Sequence, residues 1–425
     1  MGKKIDNGKT KNAGFISTRL AGMDGVSMET KKWGDIFEKE GFNCFFMAGE
    51  LDFPAERSFL VEKAHFTHPE IREIYHECFD SNTRKPSVTK KIQHVKDQLK
   101  KSLYDFIAKF NIDLFIVQNA LCIPLNVPLG LALTEIICET GIKTIAHHHD
   151  FFWERPRFLT NCIWDYLNMA FPPHLPFIQH VVINSSADNQ LSLRTGISAV
   201  IVPNVMDFEN PPPPIDDYSK DVPESLGIDD DELFVLQPTR VIKRKGIEHA
   251  IEMVSRLGMK AKLVVSHASG DEGWEYEQRV REYSSILGVN TLFISDIINE
   301  YRGRTEDGRK IYTLWDVYPH ADLVTYPSEF EGFGNAFLEA IYFRKPIVVN
   351  NYSIYKFDIK PKGFKVVELD GYVTKTAINH TVKLLKDPEM CKEMVDHNYE
   401  LGLHQYSYDI LRQKIKGLLL HFFGT

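Results

Sequence analysis

Short apolar runs alternate along the chain with longer stretches in which apolar residues recur every three or four positions. In the first half the runs fall at 14–18, 43–48, 113–118, 143–147, 181–184 and 199–203, each the length of a buried strand. Between them, 26–39 and 129–140 carry a helical period. The clearest helix is 88–110, where Ile92, Val95, Leu99, Leu103, Phe106 and Phe110 share one face. Its other face carries Lys90, Lys91, Lys96, Lys100 and Lys101, which reads as a solvated face, with an anionic ligand or a membrane surface as the alternative. The rhythm breaks at Asn210-Pro211-Pro212-Pro213-Pro214, a stiff extended segment followed by a polar, acidic stretch to Glu232. It then restarts, with strands predicted at 233–237, 262–266, 291–295, 323–326 and 346–350 and helices at 246–257, 274–287 and 335–343. Strands alternating with helices at this spacing predict right-handed βαβ units and parallel sheets. The chain therefore reads as α/β, with two Rossmann-like domains facing a cleft. The first spans 1–209, a linker 210–232, the second 233–404, and a last helical segment 405–425.

Composition narrows the class. With 425 residues, 43% hydrophobic, 25% charged and 12% aromatic, the chain is neither disordered nor a small disulfide scaffold. Fifty Lys and Arg against 58 Asp and Glu give a net charge of -8, which argues against a nucleic-acid binder. The six cysteines (44, 78, 122, 138, 162 and 391) show no pairing rhythm and read as buried, reduced thiols of a cytoplasmic protein. The amino-terminal residues are basic and polar without an apolar core, unlike a signal peptide, and Asp6 stands where a myristoylation pattern needs Ser or Thr. Residues 114–134 hold no charge and are long enough to cross a bilayer. Gln118, Asn119, Pro124, Asn126 and Pro128 interrupt them, so strand, loop and helix are expected rather than a span.

In an open parallel sheet ligands bind beyond the carboxyl ends of the strands, and four such places carry polar residues. In Pro327-Ser328-Glu329-Phe330-Glu331-Gly332-Phe333-Gly334-Asn335 a strand runs through a glycine loop into a helix that carries Glu339. Glycines allow close backbone approach, and a helix start offers N–H groups to a phosphate. The E-x7-E spacing by itself also fits an ordinary helix with a solvated glutamate. In Gln237 to Gly246, Arg240 and Lys245 bracket a loop that suits a diphosphate or, alternatively, a solvated basic turn. Gly22-Met23-Asp24-Gly25-Val26 is a close-approach loop without the dinucleotide fingerprint. In Ala146-His147-His148-His149-Asp150, His147 and His149 share a strand face. No third ligand stands at a zinc spacing, so no metal is expected and hydrogen-bonding histidines are. Trp153 could stack on a sugar ring or belong to the core.

Together these residues resemble a known family. PSEFEGFGNAFLEAIYFRKPIVV resembles the E-x7-E block of retaining GT-B glycosyltransferases of the family 4 type. QPTRVIKRKGIEHAI resembles their diphosphate-binding segment, and VPNVMDF their interdomain segment, with Val205 in place of the usual glycine. YSYDILRQKIKGLLLHFF resembles the terminal helix that such enzymes pass back toward the first domain. The resemblance implies a GT-B fold, a first domain for the acceptor and a second for the nucleotide sugar, and no cofactor. It implies that Glu339 binds the ribose and Glu331 the donor sugar. Arg240 and Lys245 would hold the diphosphate with backbone near Phe333, Gly334 and Asn335. His149 would face the transferred sugar, with His147 as the fallback, and Gly25 would border the donor. STRLAGMDGVSMETKKW and HHHDFFWERPRF are similar to a subgroup that includes mannosylglucosylglycerate and sucrose-phosphate synthases. That favours a small, hydroxylated, anionic acceptor met by Arg19, Asn119, His147, Trp153 and Arg155. A lipid or polysaccharide acceptor at a membrane surface, a sugar-nucleotide epimerase and a noncatalytic sugar-nucleotide-binding protein are the alternatives.

Overall fold

The computed structural model describes residues 10–22, 24–269 and 274–424. Met23 and the amino-terminal tail with Asp6 lie outside the described residues. The chain forms two compact units, Met1–Pro203 with Leu411–Thr425, and Asn204–Ile410.

The first unit runs β1 (Lys11–Ile16), α1 (Gly25–Lys39), β2 (Phe42–Ala48), β3 (Ser58–Leu60), α2 (Pro69–Phe79), α3 (Pro86–Phe110), β4 (Leu114–Gln118), α4 (Val127–Thr140), β5 (Lys143–His148), α5 (Trp164–Ala170), β6 (Ile178–Val182), α6 (Ser185–Thr195) and β7 (Ala199–Ile201). Its seven strands pair in parallel in the order β3-β2-β1-β4-β5-β6-β7. Helices on both faces explain why β4 is buried at every position and reads as one apolar run. The strand order reverses between β1 and β4, the kind of switch point beyond whose carboxyl ends open α/β sheets bind their ligands.

The second unit runs α7 (Val222–Ser225), β8 (Leu233–Arg240), α8 (Ile247–Arg256), β9 (Ala261–His267), α9 (Trp274–Ile286), β10 (Asn290–Phe293), the hairpin β11 (Gly303–Arg304) and β12 (Lys310–Ile311), α10 (Leu314–Val317), β13 (Leu323–Tyr326), α11 (Asn335–Tyr342), β14 (Ile347–Asn350), β15 (Val367–Leu369), α12 (Lys375–Lys386) and α13 (Pro388–Tyr406). The parallel order β10-β9-β8-β13-β14-β15 reverses between β8 and β13. A last helix, α14 (Tyr408–Phe423), enters the first unit at Leu411. There it buries Leu411, Ile415, Leu418 and Leu419 and pairs Arg412 with Glu40.

The structure departs from the sequence reading in four places. The units divide at Pro203–Asn204, not at 209, because the following residues are fastened to α13. The Met206 N–H donates to the Tyr406 carbonyl at 2.8 Å, and the Tyr399 hydroxyl to the Phe208 carbonyl at 2.9 Å. Residues 215–232, read as part of a linker, are fastened into the second unit: Asp216 pairs with Arg302 and Asp221 with Lys310, both at 2.6 Å. Three of the five lysines on that face of α3 are paired within the fold, while Lys90 and Lys101 are exposed. Lys96 and Lys100 reach Glu135 at 2.6 and 2.8 Å, Lys100 reaches Glu139 at 2.9 Å, and Lys91 reaches Glu73 and Glu77. Of the six free cysteines, Cys44, Cys78 and Cys122 are buried, Cys162 and Cys391 half-buried, and Cys138 exposed. Residues 114–134 form β4, a loop and most of α4, and no described helix is long and apolar enough to cross a membrane.

Candidate active site

At the switch point of the second unit, the loops that follow β8 and β13 lie against each other. Gly246 makes this possible. Its φ is 59°, and a Cβ there would stand 2.5 Å from the Pro327 carbonyl oxygen. The Glu329 N–H donates to the Arg244 carbonyl at 2.8 Å, closing the junction. Within it Lys245 and Glu331 form an ion pair at 9% and 7% exposure. Arg244 donates to the second Glu331 oxygen at 2.9 Å and to the Phe330 carbonyl at 3.0 Å. Burial alone would raise the Glu331 carboxyl, but Lys245 and Arg244 outweigh it and hold it below its ordinary value. Burial pushes the Lys245 ammonium down against the pull of Glu331. The Tyr326 hydroxyl, beneath the pair, is driven far up by burial and by Glu331.

Arg240 is exposed where β8 ends, past a register shift between Gln237 and Arg240 that pairs it with His267 of β9. His267 is pushed down to about 4 by burial, Arg240 and Lys245. Lys245 and Arg244 thus hold the Glu331 carboxylate, with the Arg240 charge felt by Lys245 and His267, and the excess of cations favours an anion. Five residues on from Gly334, Glu339 sits half-buried on α11 and accepts from the Tyr318 hydroxyl at 2.9 Å. Only part of the path from Glu331 to Glu339 is helical, since α11 begins at Asn335. The Phe333 side chain packs into the core against Tyr406, which leaves its backbone for the site. Asn335 accepts from Asn204 Nδ2 at 2.7 Å, while Asn204 Oδ1 is buried without a described partner.

Gly334 has φ 123°, and a Cβ there would meet the Tyr352 hydroxyl at 2.4 Å. That hydroxyl already donates to the Phe333 carbonyl at 2.9 Å. Gly334→Ala should therefore destabilise the protein by about 1–3 kcal/mol in urea unfolding. Tyr352→Phe, which removes the clashing oxygen, should return part of that loss. An unchanged urea midpoint in Gly334→Ala would show that the loop relaxes freely.

In the first unit the expected residues meet different fates. Asp24 caps α1, accepting from the Val26 and Ser27 N–H groups at 3.0 and 3.1 Å, and places Gly25 exposed at its start. Arg19 is engaged by Glu50 at 2.9 Å. Asn119, with φ 58°, turns its side chain inward and accepts from the His149 N–H at 2.8 Å. It is a scaffold residue for the end of β5. Arg155 is ion-paired with Asp150, Nε to Oδ2 2.8 Å. Trp153 stacks on Phe151 with centroids 4.5 Å apart and donates to Gln190 at 3.0 Å, so its ring serves packing. His147 is 1% exposed and lies under the surface, which removes it as a direct sugar contact. His148 points to the other face and bonds His180 at 2.9 Å. His149 is half-buried, with Nε2 3.1 Å from Gln118 Oε1, and burial with Lys32 nearby pushes it down to about 4. Among the described residues no group of three or more His, Cys, Asp or Glu is placed to hold a metal ion.

Sequence reasoning missed Arg244, His267 and Tyr318. Arg244 was visible in the run Lys243-Arg244-Lys245, but the one-residue step gave no reason to choose it. His267 and Tyr318 carry no local signal, because only strand order and tertiary packing bring them to the site.

The family described as Glycosyl transferases group 1 matches residues 219–401. The mannosylglucosylglycerate synthase of Thermotoga maritima is 33% identical, covering 92% of this chain and 95% of its own length. The enzyme of the same name from Petrotoga mobilis is 32% identical over 84% of this chain and 86% of its own. The solved sucrose-phosphate synthase of Thermosynechococcus elongatus superposes with a TM-score of 0.68 at 14% identity, covering 98% of this chain and 100% of that one. The two parallel α/β sheets and the sucrose-phosphate synthase superposition show the GT-B fold, and the sequence relatives show a glycosyltransferase. The chain belongs to the group 1 glycosyltransferases.

Proposed function

We propose that the enzyme transfers a hexose from a nucleotide sugar, with retention at the anomeric carbon, to a hydroxyl of a small anionic acceptor of the glycosylglycerate class. The observation that carries this reading is the pairing of Arg244 and Lys245 with Glu331, with the charge of Arg240 at the end of β8 beside it, at the second unit's switch point. Breaking the anomeric bond leaves an oxocarbenium-like sugar and puts new negative charge on the departing diphosphate. Arg240 and Lys245 stabilise that charge as it grows, and so act more on the transition state than on the ground state. Glu331, held ionised, accepts from donor-sugar hydroxyls, and Glu339, oriented by Tyr318, accepts from the ribose. His149 faces the transferred sugar, with Gly25 at the border of the donor. Because side-chain cations neutralise the diphosphate, no metal cofactor is needed.

The acceptor class is supported by the names of the relatives, which make mannosylglucosylglycerate, and a mannose nucleotide is accordingly the favoured donor. Arg19 and Arg155, each partly exposed beside a carboxylate, are the cations we assign to the acceptor's charge. Lys91, Lys96 and Lys100 of α3, engaged by Glu135, Glu139, Glu73 and Glu77, speak against a membrane-surface acceptor. Free thiols throughout suit a cytoplasmic enzyme.

A panel of nucleotide sugars, read by release of nucleoside diphosphate with and without glucosylglycerate, tests the reading. Release is expected to depend on the acidic acceptor, to be strongest with a mannose nucleotide and to persist in excess EDTA. Donor consumption without any acceptor would support the epimerase alternative, and tight donor binding without turnover a binding protein. Activity lost to EDTA and restored by one divalent ion would overturn the metal-free reading.

A further inference from the structure

His147 is a buried side chain that no step above uses. Both of its ring nitrogens are sequestered from solvent and have no hydrogen-bond partner among the described residues. A polar group left in that state costs on the order of 1–3 kcal/mol, so an apolar residue would hold this part of the core more cheaply. What the imidazole does contribute is a flat face. The Trp33 indole, itself buried on α1, stacks on one side of it with centroids 4.4 Å apart and 29° between planes. The His149 ring lies on it at 4.3 Å and 41°. His149 is otherwise held only along its edges. Its backbone N–H donates to Asn119 Oδ1 at 2.8 Å, and its Nε2 lies 3.1 Å from Gln118 Oε1. Edge contacts fix where an imidazole sits but leave rotation about the Cβ–Cγ bond soft. A stacked neighbour restrains that rotation.

We propose that Trp33 and His147 form a stack that positions His149, setting the plane in which its ring is presented at the carboxyl end of β5. This rests on the reading that places His149 at the transferred sugar. Trp33 and His147 are positioning residues, because neither reaches the surface of the crevice. The charged and titratable groups around the stack are Glu29 and Lys32, paired with each other on α1 at 2.6 Å, and His148 and His149 on β5. The device is thus an aromatic column beside one ion pair.

A structural role and a positioning role give opposite patterns in His147→Leu. Leucine nearly conserves the volume and removes two unpartnered polar atoms, so the melting temperature is expected to stay level or rise. Turnover is nevertheless expected to fall about 10- to 100-fold with little change in donor KM, the scale for a misplaced group in a reacting site. Trp33→Leu should reproduce the kcat loss from the other side of the column, and Trp33→Phe, which keeps an aromatic face, should restore most of it. Imidazole NMR of the substrate-free protein supplies a readout that needs no turnover. In both leucine variants the His149 resonances should broaden or shift and titrate closer to the ordinary histidine value, and in Trp33→Phe they should stay near the wild type. The proposal is overturned if His147→Leu keeps the wild-type kcat and the wild-type His149 resonances, or if Trp33→Phe is as damaging as Trp33→Leu. If His149→Ala itself retains full turnover, the role of His149 falls, and the NMR arm still decides whether the stack positions its ring.

Discussion

Replacing Arg240 or Lys245 by alanine should lower kcat/KM by about 10²–10³, the scale for losing one preorganised stabiliser of developing charge. The two variants should part company in stability. Arg240 is exposed at the end of β8, so its removal opens no cavity in the core. Lys245 is buried against Glu331, so Lys245→Ala leaves a carboxylate at 7% exposure with Arg244 as its remaining close cation. Breaking a buried pair from one side costs about 3–5 kcal/mol. The expected result is a wild-type urea midpoint for Arg240→Ala and a clearly lowered one for Lys245→Ala. Sequence alone reads both as cations of one loop, and it misses the difference because burial of Lys245 depends on a carboxylate 86 residues away. Steady-state kinetics and urea unfolding on the same preparations separate the effects. Near-normal turnover in either variant would remove that residue from the diphosphate site. An unchanged midpoint in Lys245→Ala would mean that Glu331 takes up a proton or swings into water at little cost.

The parts of the fold legible in the sequence are those whose signal is local. The strand at 323–326 coincides with β13, and the apolar stripe from Ile92 to Phe110 is the buried face of α3. The elements between β2 and α3 went unseen: β3 is three residues long, and α2 is short and polar on much of its surface. Among the helices, α6 has four serines and threonines in eleven residues and only Ala187 and Leu191 buried, so no stripe betrays it. In the site, Glu331 and Glu339 were legible because a glycine loop and a helix start lie between them. Their partners were not. That Tyr318 holds Glu339, or that Asp150 holds Arg155, is decided by side-chain geometry that periodicity does not encode. The histidine run shows the limit most plainly. Period-two alternation correctly pairs His147 with His149 on one face, yet only the position of Trp33 says that one is beneath the surface and the other at it.

The same buried histidines make the protein acid-sensitive in a window where most proteins are still stable. Among the described residues seven histidines (65, 147, 148, 149, 180, 267 and 320) are pushed below their ordinary value, each first by burial. Three of them, His149, His180 and His267, come down to about 4. In the unfolded chain these rings take up protons near pH 6.5, whereas in the fold they stay neutral to lower pH, and His149, His180 and His267 to about 4. The unfolded state therefore binds more protons between those values, and stability falls as the pH drops through the window. Each histidine that titrates near 4 in the fold removes about 2 kcal/mol by pH 5, at about 1.4 kcal/mol per unit. Glu29, Asp35 and Glu154 are raised by burial and act in the opposite sense, but they are three against seven. Carboxylates held low by partners, such as Asp216 beside Arg302, lose their contribution only at more acid pH, so the window belongs to the histidines. Calorimetric melting at pH 7.5, 6.5, 5.5 and 5.0 should show a steep fall in Tm below 6.5 with net proton uptake on unfolding. His147→Leu should flatten that fall by close to one proton, since it deletes one ring that only the unfolded chain can charge. A Tm that holds level from pH 7.5 to 5.5 would mean that these rings are hydrated or partnered in solution, and would count equally against the unpartnered state of His147.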